Sequence, residues 1–288
     1  TLGSQDFMPI TIKSLLANYR FQPYNGVLLV ATVIALVVAL MAWQRRHVRG
    51  AIYLTLLELT MAVWGFAAAW EGAATTVPLK IFWSQVTYVG VTTTPLLFFL
   101  FITTYAHQRQ YLTRRNILLL AILPLLTFII AATRSHWLWP QVIIDPRTNI
   151  AWYDHGLWWW IHTFHSYTLL LLGLVILIAE MRRATAFYRP QLGVILAGSL
   201  VPVVANLIYV LGLVPVHGLE WTPLMFAFTG PVLLWGLARY RLLDLAPIAR
   251  SILVDTMSDG LLVVDALGRI ADWNPAMQGI AGASAAKV

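Results

Sequence analysis

Cysteine is absent from the 288 residues, which excludes disulfides, thiolate metal sites and a cysteine nucleophile and leaves the redox compartment open. Charge is scarce. Only 11% of residues are Asp, Glu, Lys or Arg, where an ordinary soluble domain carries about 25%. The last apolar run, 221–240, has no lysine, so a retinal Schiff base there is excluded. Residues 1–20 are too polar for a signal peptide, and Thr1 reads as a cut end. No internal repeat marks the inverted halves of a transporter. No nucleophile–base set is recognisable either, so no catalytic residue is assigned.

Apolar residues fill the space left by these absences. The types A, V, I, L, M, F, W, Y and C make up 59% of the chain, and mean hydropathy is +0.74. The formal net charge is +7, but the cations punctuate apolar runs instead of forming a basic face, which argues against nucleic acid. Seven runs can span a bilayer at about 20 residues each, near 24–43, 51–71, 82–105, 117–134, 158–180, 191–213 and 221–240. The expected fold is an all-α membrane protein, a seven-transmembrane-helix bundle ending in a short α/β piece.

Lys and Arg orient the runs. One set of junctions carries twelve: Arg45, Arg46, Arg49, Arg109, Arg114, Arg115, Arg182, Arg183, Arg189, Arg239, Arg241 and Arg250. The other carries five: Lys13, Arg20, Lys80, Arg134 and Arg147. The first set is expected in the cytoplasm, which puts the N-terminus outside. On the outer side the connection between runs two and three spans about ten residues, that between six and seven about eight, and 135–157 is long and aromatic. The long connection reads either as a lid or as an aromatic belt at the membrane interface.

Polar residues inside the runs need a reason, because ionisable groups in a bilayer are costly and face the bundle interior. Glu58 lies about two turns into the second run and reads as a lock, paired with Asn206 or a hydroxyl, or as a titrating switch. Trp64 and Glu71 share a face of that run. Lys80, Trp83, Gln85, Tyr88 and Thr92 follow on the third. Trp158, His162 and His165 share a face of the fifth, and Pro202, Asn206 and Tyr209 a face of the sixth. Pro202 frees a carbonyl one turn back. Trp64, Glu71, Trp83, Gln85, Tyr88, His162 and His165 form the candidate ligand site in the outer half, with interhelical hydrogen bonding as the bland alternative. His162 and His165, with Glu71 and His217, are too loosely spaced for a metal site, so neither metal nor cofactor is assigned.

Beyond Arg239, Asp244 and Pro247 can open a new helix. Leu245, Ile248 and Ile252 form a short seam suited to a partner copy, hence a homodimer, and with Arg239 they make up the expected signal relay. LLVVD and RIADW read as two strands, and Asn274-Pro275 as a capped helix start. About 29 residues cannot bury a core alone.

The stretches WEGAATTVPLKIFWSQVTYVGVTTTPLLFFLFITTYAHQ, HGLWWWIHTFHSYTLLLLGLVIL and LEWTPLMFAFTGPVLLWGLARYRLLDLAPIAR resemble the N-terminal seven-helix sensor region of bacterial histidine kinases. DTMSDGLLVVDALGRIADWNPAM is similar to the opening of a PAS domain. The resemblance implies four parts: an extracytoplasmic segment (1–23), a seven-span sensor (24–242), a connector helix (243–258) and an incomplete PAS start (259–288). It implies a receptor in the bacterial inner membrane for a small extracytoplasmic or membrane-borne ligand. Its signal would pass to cytoplasmic PAS and kinase parts, and through the kinase to a response regulator. No phosphoacceptor helix or ATP-binding box is present. Such membrane regions also precede diguanylate cyclases, and a small-solute or proton-coupled carrier using Glu58 and Asn206 is the alternative from another class.

Overall fold

The computed structural model describes residues 17–106, 111–133, 136–185, 188–213, 218–240, 254, 256–264 and 270–282. The chain divides into two compact units, 1–242 and 243–288. Leu245, Ile248 and Ile252 of the expected relay lie outside the described residues.

The first unit contains α1 (Pro23–Gln44), α2 (Ala51–Ala73), α3 (Val77–Tyr105), α4 (Arg114–Ala132), α5 (Leu157–Arg183), α6 (Arg189–Val210) and α7 (Thr222–Arg239). Six of these, α1 to α6, are long and apolar enough to cross a membrane. The eighteen-residue α7 is not among them, because two prolines, two glycines, Trp235 and Arg239 dilute its apolar run. Helix α1 packs between α2 and α7, α3 between α2, α4 and α5, and α6 between α5 and α7.

Packing inverts the size rule of a soluble core. Helix α1 buries Ala31, Ala35, Ala39 and Ala42, and exposes Val30, Val33, Val37 and Leu40. Large side chains suit a lipid-facing surface, while small ones let helix backbones approach. Gly90 shows the approach most clearly. A Cβ built there would lie 2.8 Å from the carbonyl oxygen of Thr60 and would strike Trp64 Cβ. Prolines are absorbed as expected: the Gly198 carbonyl, one turn before Pro202, accepts the Thr229 hydroxyl of α7 at 2.9 Å.

The connection between α2 and α3 is only Ala74–Thr76, shorter than the ten residues expected. Helix α3 starts at Val77 with Pro78 in its first turn, where a missing N–H costs little. Lys80 therefore sits inside the helix, fully buried, and donates to the Glu71 carbonyl at 2.9 Å.

Residues 135–157 hold a hairpin that the aromatic composition concealed. Strands β1 (Val142–Ile144) and β2 (Ala151–Tyr153) pair antiparallel, with Val142 opposite Tyr153. The turn is built by Asp145, whose carboxylate accepts from the Arg147 N–H and the Thr148 hydroxyl, each at 2.9 Å. These two donors hold the Asp145 carboxyl below its ordinary value. Asn149 takes φ of 58°, a conformation asparagine tolerates. Its side chain donates to the carbonyls of Gly72 and Ala74, and the Gln22 amide donates to the Thr148 carbonyl. The hairpin is thereby fastened to the ends of α1 and α2.

In the second unit, β3 (Leu262–Val264) pairs antiparallel with β4 (Ile270–Trp273), and α8 (Pro275–Ala281) follows. Asn274 caps α8 as expected, accepting from Met277 N at 2.9 Å and from Leu261 N at 2.7 Å. Val263, Val264 and Ile280 are exposed.

The close approach at Gly90 predicts a contrast between two glycines. Gly90→Ala must push α2 and α3 apart and is expected to lower the thermal midpoint of the purified protein by several degrees, about 1–3 kcal/mol of overpacking. Gly193→Ala, with nothing within 4 Å of the new methyl, is expected to leave it unchanged or higher. Equal midpoints for the two variants would show that the helices do not meet at Gly90.

Candidate functional site

A cavity of about 230 Å³ runs between α1, α2, α3, α5, α6 and α7. At the hairpin end its lining includes Tyr24, Glu71, Ser84, Tyr153 and Glu220, and at the other end Glu58, Phe101, Ile195 and Leu233. The arginine-rich helix ends lie beyond that second group.

The hairpin end is closed by a polar network. The Tyr153 hydroxyl of β2 donates to Glu71 Oε1 at 3.0 Å and accepts from Ser84 Oγ. Lys80 Nζ lies 3.6 Å from the same carboxylate oxygen. Trp139, just before β1, meets the Tyr88 ring edge-on at 5.0 Å, and His155 stacks on Trp159 at 3.7 Å. Burial lowers the His155 pKa, with the Asp154 charge acting in the opposite sense. Glu220, in the connection before α7, is half-buried. Burial and the nearby Glu71 charge push its carboxyl up to about 7, with the Thr222 hydroxyl acting in the opposite sense.

Four of the seven residues expected at the ligand site line this cavity: Trp64, Glu71, Tyr88 and His162. His162 is buried and its Nε2 is 3.3 Å from Ser166 Oγ. The other three do not. Trp83 stacks on Trp70 at 5.6 Å and donates to the Tyr19 hydroxyl, within a separate aromatic group that fits an interfacial belt. Gln85 donates to the carbonyls of Ala131 and Ala132, closing the C-terminus of α4. His165 is half-buried and stands outside the lining. Trp158 likewise turns to α4, donating to Thr127 Oγ1 at 3.0 Å. A helix turns 100° per residue, so a shared face from sequence spacing is wide enough to include neighbours that serve another helix.

Glu58 and Asn206 both line the cavity, but they do not pair with each other. Asn206 accepts from Tyr167 at 2.8 Å and donates to Thr222 at 2.9 Å, linking α5, α6 and α7. Both carboxylate oxygens of Glu58 are buried without a hydrogen-bond donor among the described residues. Tyr153, Glu220 and Trp139 are not among the expected site residues, since their stretches read as connections, and Trp159 lies in the fifth apolar run but off the expected face of Trp158, His162 and His165. Among the described residues, no group of three His, Asp or Glu is placed to hold a metal.

The family model for the N-terminal 7TM region of histidine kinase matches residues 27–247. The chain belongs to that family. It is a multi-pass membrane protein and the sensor, or input, region of a histidine kinase. No curated protein and no solved structure matches the chain. In this histidine-kinase 7TM region the matched span includes every helix around the cavity apart from the first residues of α1.

Glu220 makes a pH-dependent prediction. Its carboxyl ionises near 4.5 in the unfolded chain and near 7 in the folded one, so it lowers stability as pH rises between those values. Glu220→Gln is expected to raise the thermal midpoint by a few degrees at pH 8 and to leave it unchanged at pH 5. A variant less stable than the unmodified protein at pH 8 would show that the ionised carboxylate is stabilised in place.

Proposed function

We propose that this chain is the ligand-receiving module of a two-component sensor kinase. Its seven helices all span a bacterial plasma membrane, with the hairpin end outside and the arginine end in the cytoplasm. A small, partly apolar molecule from outside or from the membrane enters the cavity. The change leaves through α7 and the connector to PAS and kinase parts, and through the kinase to a response regulator. The working unit is a homodimer.

The observation that carries this reading is the cavity itself: a space among six helices, roofed by a fastened hairpin and lined by aromatic rings and buried polar groups. The family supports a kinase output over a cyclase or a carrier. The arginines at the ends of α1, α5 and α7 and the starts of α4 and α6 support the orientation. Packing of α7 against both α1 and α6 supports a seventh span despite its short apolar run.

Hydrogen bonds at the arginine end support a route out. Tyr105 at the end of α3 donates to Gln191 Oε1 at 3.1 Å, and Gln191 Nε2 donates to the Tyr240 carbonyl at 2.9 Å. Phe101, Ile195 and Leu233 of the cavity lie one turn away from Tyr105, Gln191 and Leu237. Arg239, expected in the relay, covers the Tyr240 ring at 5.9 Å. A side chain displaced at the cavity floor is thus one helical turn from the exit of α7.

Filling the cavity tests the reading. Thr163 lines it, while the adjacent Phe164 is 78% exposed on the outer face of α5. In the full-length kinase in native membranes, Thr163→Trp is expected to fix autophosphorylation at one level, unresponsive to stimuli that modulate the unmodified protein. Phe164→Trp is expected to respond normally. Normal modulation of Thr163→Trp would remove the cavity from the signalling path.

A further inference from the structure

The cavity's charge is one-sided. Glu58, Glu71 and Glu220 line it, and among the described lining residues there is no lysine or arginine. Glu71 has Lys80 beside it and Glu220 has the Thr222 hydroxyl. Glu58 has neither: it is 0% exposed, and both of its oxygens are buried without a donor among the described residues. Gly90 brings α3 against Thr60 and Trp64, so Thr94, one turn further, comes level with Glu58. Its hydroxyl is also buried without a partner among the described residues. Toward the hairpin from this position the lining turns aromatic, with Trp64, six residues further along α2, meeting Phe226 edge-on at 5.4 Å, and Tyr88 beyond it.

An unpaired carboxylate inside a bilayer is costly and marks a functional position. Aromatic faces attract organic cations, and a charge-assisted hydrogen bond is among the strong ones. We infer that the cavity selects a small organic ammonium ion, whose charged nitrogen pairs with the Glu58 carboxylate and whose apolar part lies against the aromatic walls. An anion would meet acidic side chains and, among the described lining residues, no lysine or arginine to pair with. A neutral apolar molecule would leave Glu58 unpaired. Magnesium or calcium ions take about six or more oxygens, and Glu58 with Thr94 supplies three. At about 230 Å³ the space falls below the roughly 300–1,000 Å³ of drug-sized sites, which sets the ligand's size as small. This inference rests on the proposed role of the cavity as the input site.

Probes of one length and three charges separate the possibilities: hexylammonium, hexanol and hexanoate, titrated into the full chain in lipid nanodiscs with tryptophan fluorescence as the readout. Hexylammonium is expected to saturate, and to bind about tenfold or more tightly than hexanol or hexanoate. Glu58→Gln, with unchanged helix content by circular dichroism, is expected to lose that preference, and Glu58→Asp to retain it at lower affinity. Hexanol or hexanoate binding as tightly as hexylammonium to the unmodified chain would overturn the cation inference while leaving the cavity a ligand site. Displacement of hexylammonium by sodium at constant ionic strength would overturn it in favour of an inorganic ion. Saturable binding by none of the probes would overturn it as well. The output of Thr163→Trp decides the receptor reading separately.

Discussion

Lys80 and Glu71 hold the hairpin end of the molecule together. The lysine is fully buried at the start of α3, and a buried ammonium is tolerable only with a carboxylate and carbonyls around it. Glu71 provides both, through its side chain and its main-chain carbonyl. The same carboxylate receives Tyr153 from the hairpin, and Tyr153 in turn receives Ser84. One ion pair therefore sets the tight connection between α2 and α3 and anchors β2. Together with the tie from Asn149 to Gly72 and Ala74, it places Trp139 and His155 over the space between the helices.

That arrangement separates two kinds of buried acid. Glu71 is consumed by structure, since Lys80 and Tyr153 both engage its carboxylate. Glu58, about two turns into α2 from the arginine end, accepts no hydrogen bond among the described residues. Asn206, its expected partner, is occupied by Tyr167 and Thr222 and serves to hold three helices in register. The bundle satisfies some deep polar groups locally, as Thr229 does for Gly198 and Thr92 for the Tyr88 carbonyl, and Glu58 is the acid it leaves without a donor among the described residues, which suits a position kept for something that arrives. The floor of the same cavity lies one turn from the Tyr105–Gln191–Tyr240 bonds, so occupancy and the exit of α7 share one short stretch of packed side chains.

The helices were legible in the sequence because a bilayer demands long apolar runs, and their ends fall within a few residues of the expected limits. The start of α3 was misplaced by five residues because Lys80 reads as a boundary until its partner is known. The hairpin was hidden by tryptophans that read as a belt, although Val142-Ile143-Ile144, Asp145-Pro146-Arg147-Thr148-Asn149 and Ala151-Trp152-Tyr153 carry strand and turn chemistry. Four expected ligand-site residues converge on one cavity, since deep polar residues on a membrane helix usually face inward. Trp83, Gln85 and His165 go elsewhere because spacing locates a face of the helix, not the neighbour on that face. Glu220 and Tyr153 come from connections, and only the fold brings them to the cavity.

The absence of cysteine makes a direct test of a moving bundle practicable. Spin labels placed on cysteines substituted for Arg114, at the start of α4, and Arg239, at the end of α7, report the spacing across the arginine end. The distance distribution is then measured by double electron–electron resonance in unmodified, Thr163→Trp and Phe164→Trp backgrounds. If the cavity governs the exit of α7, Thr163→Trp shifts the distribution and Phe164→Trp does not. Superimposable distributions in all three would contradict a cavity coupled to α7.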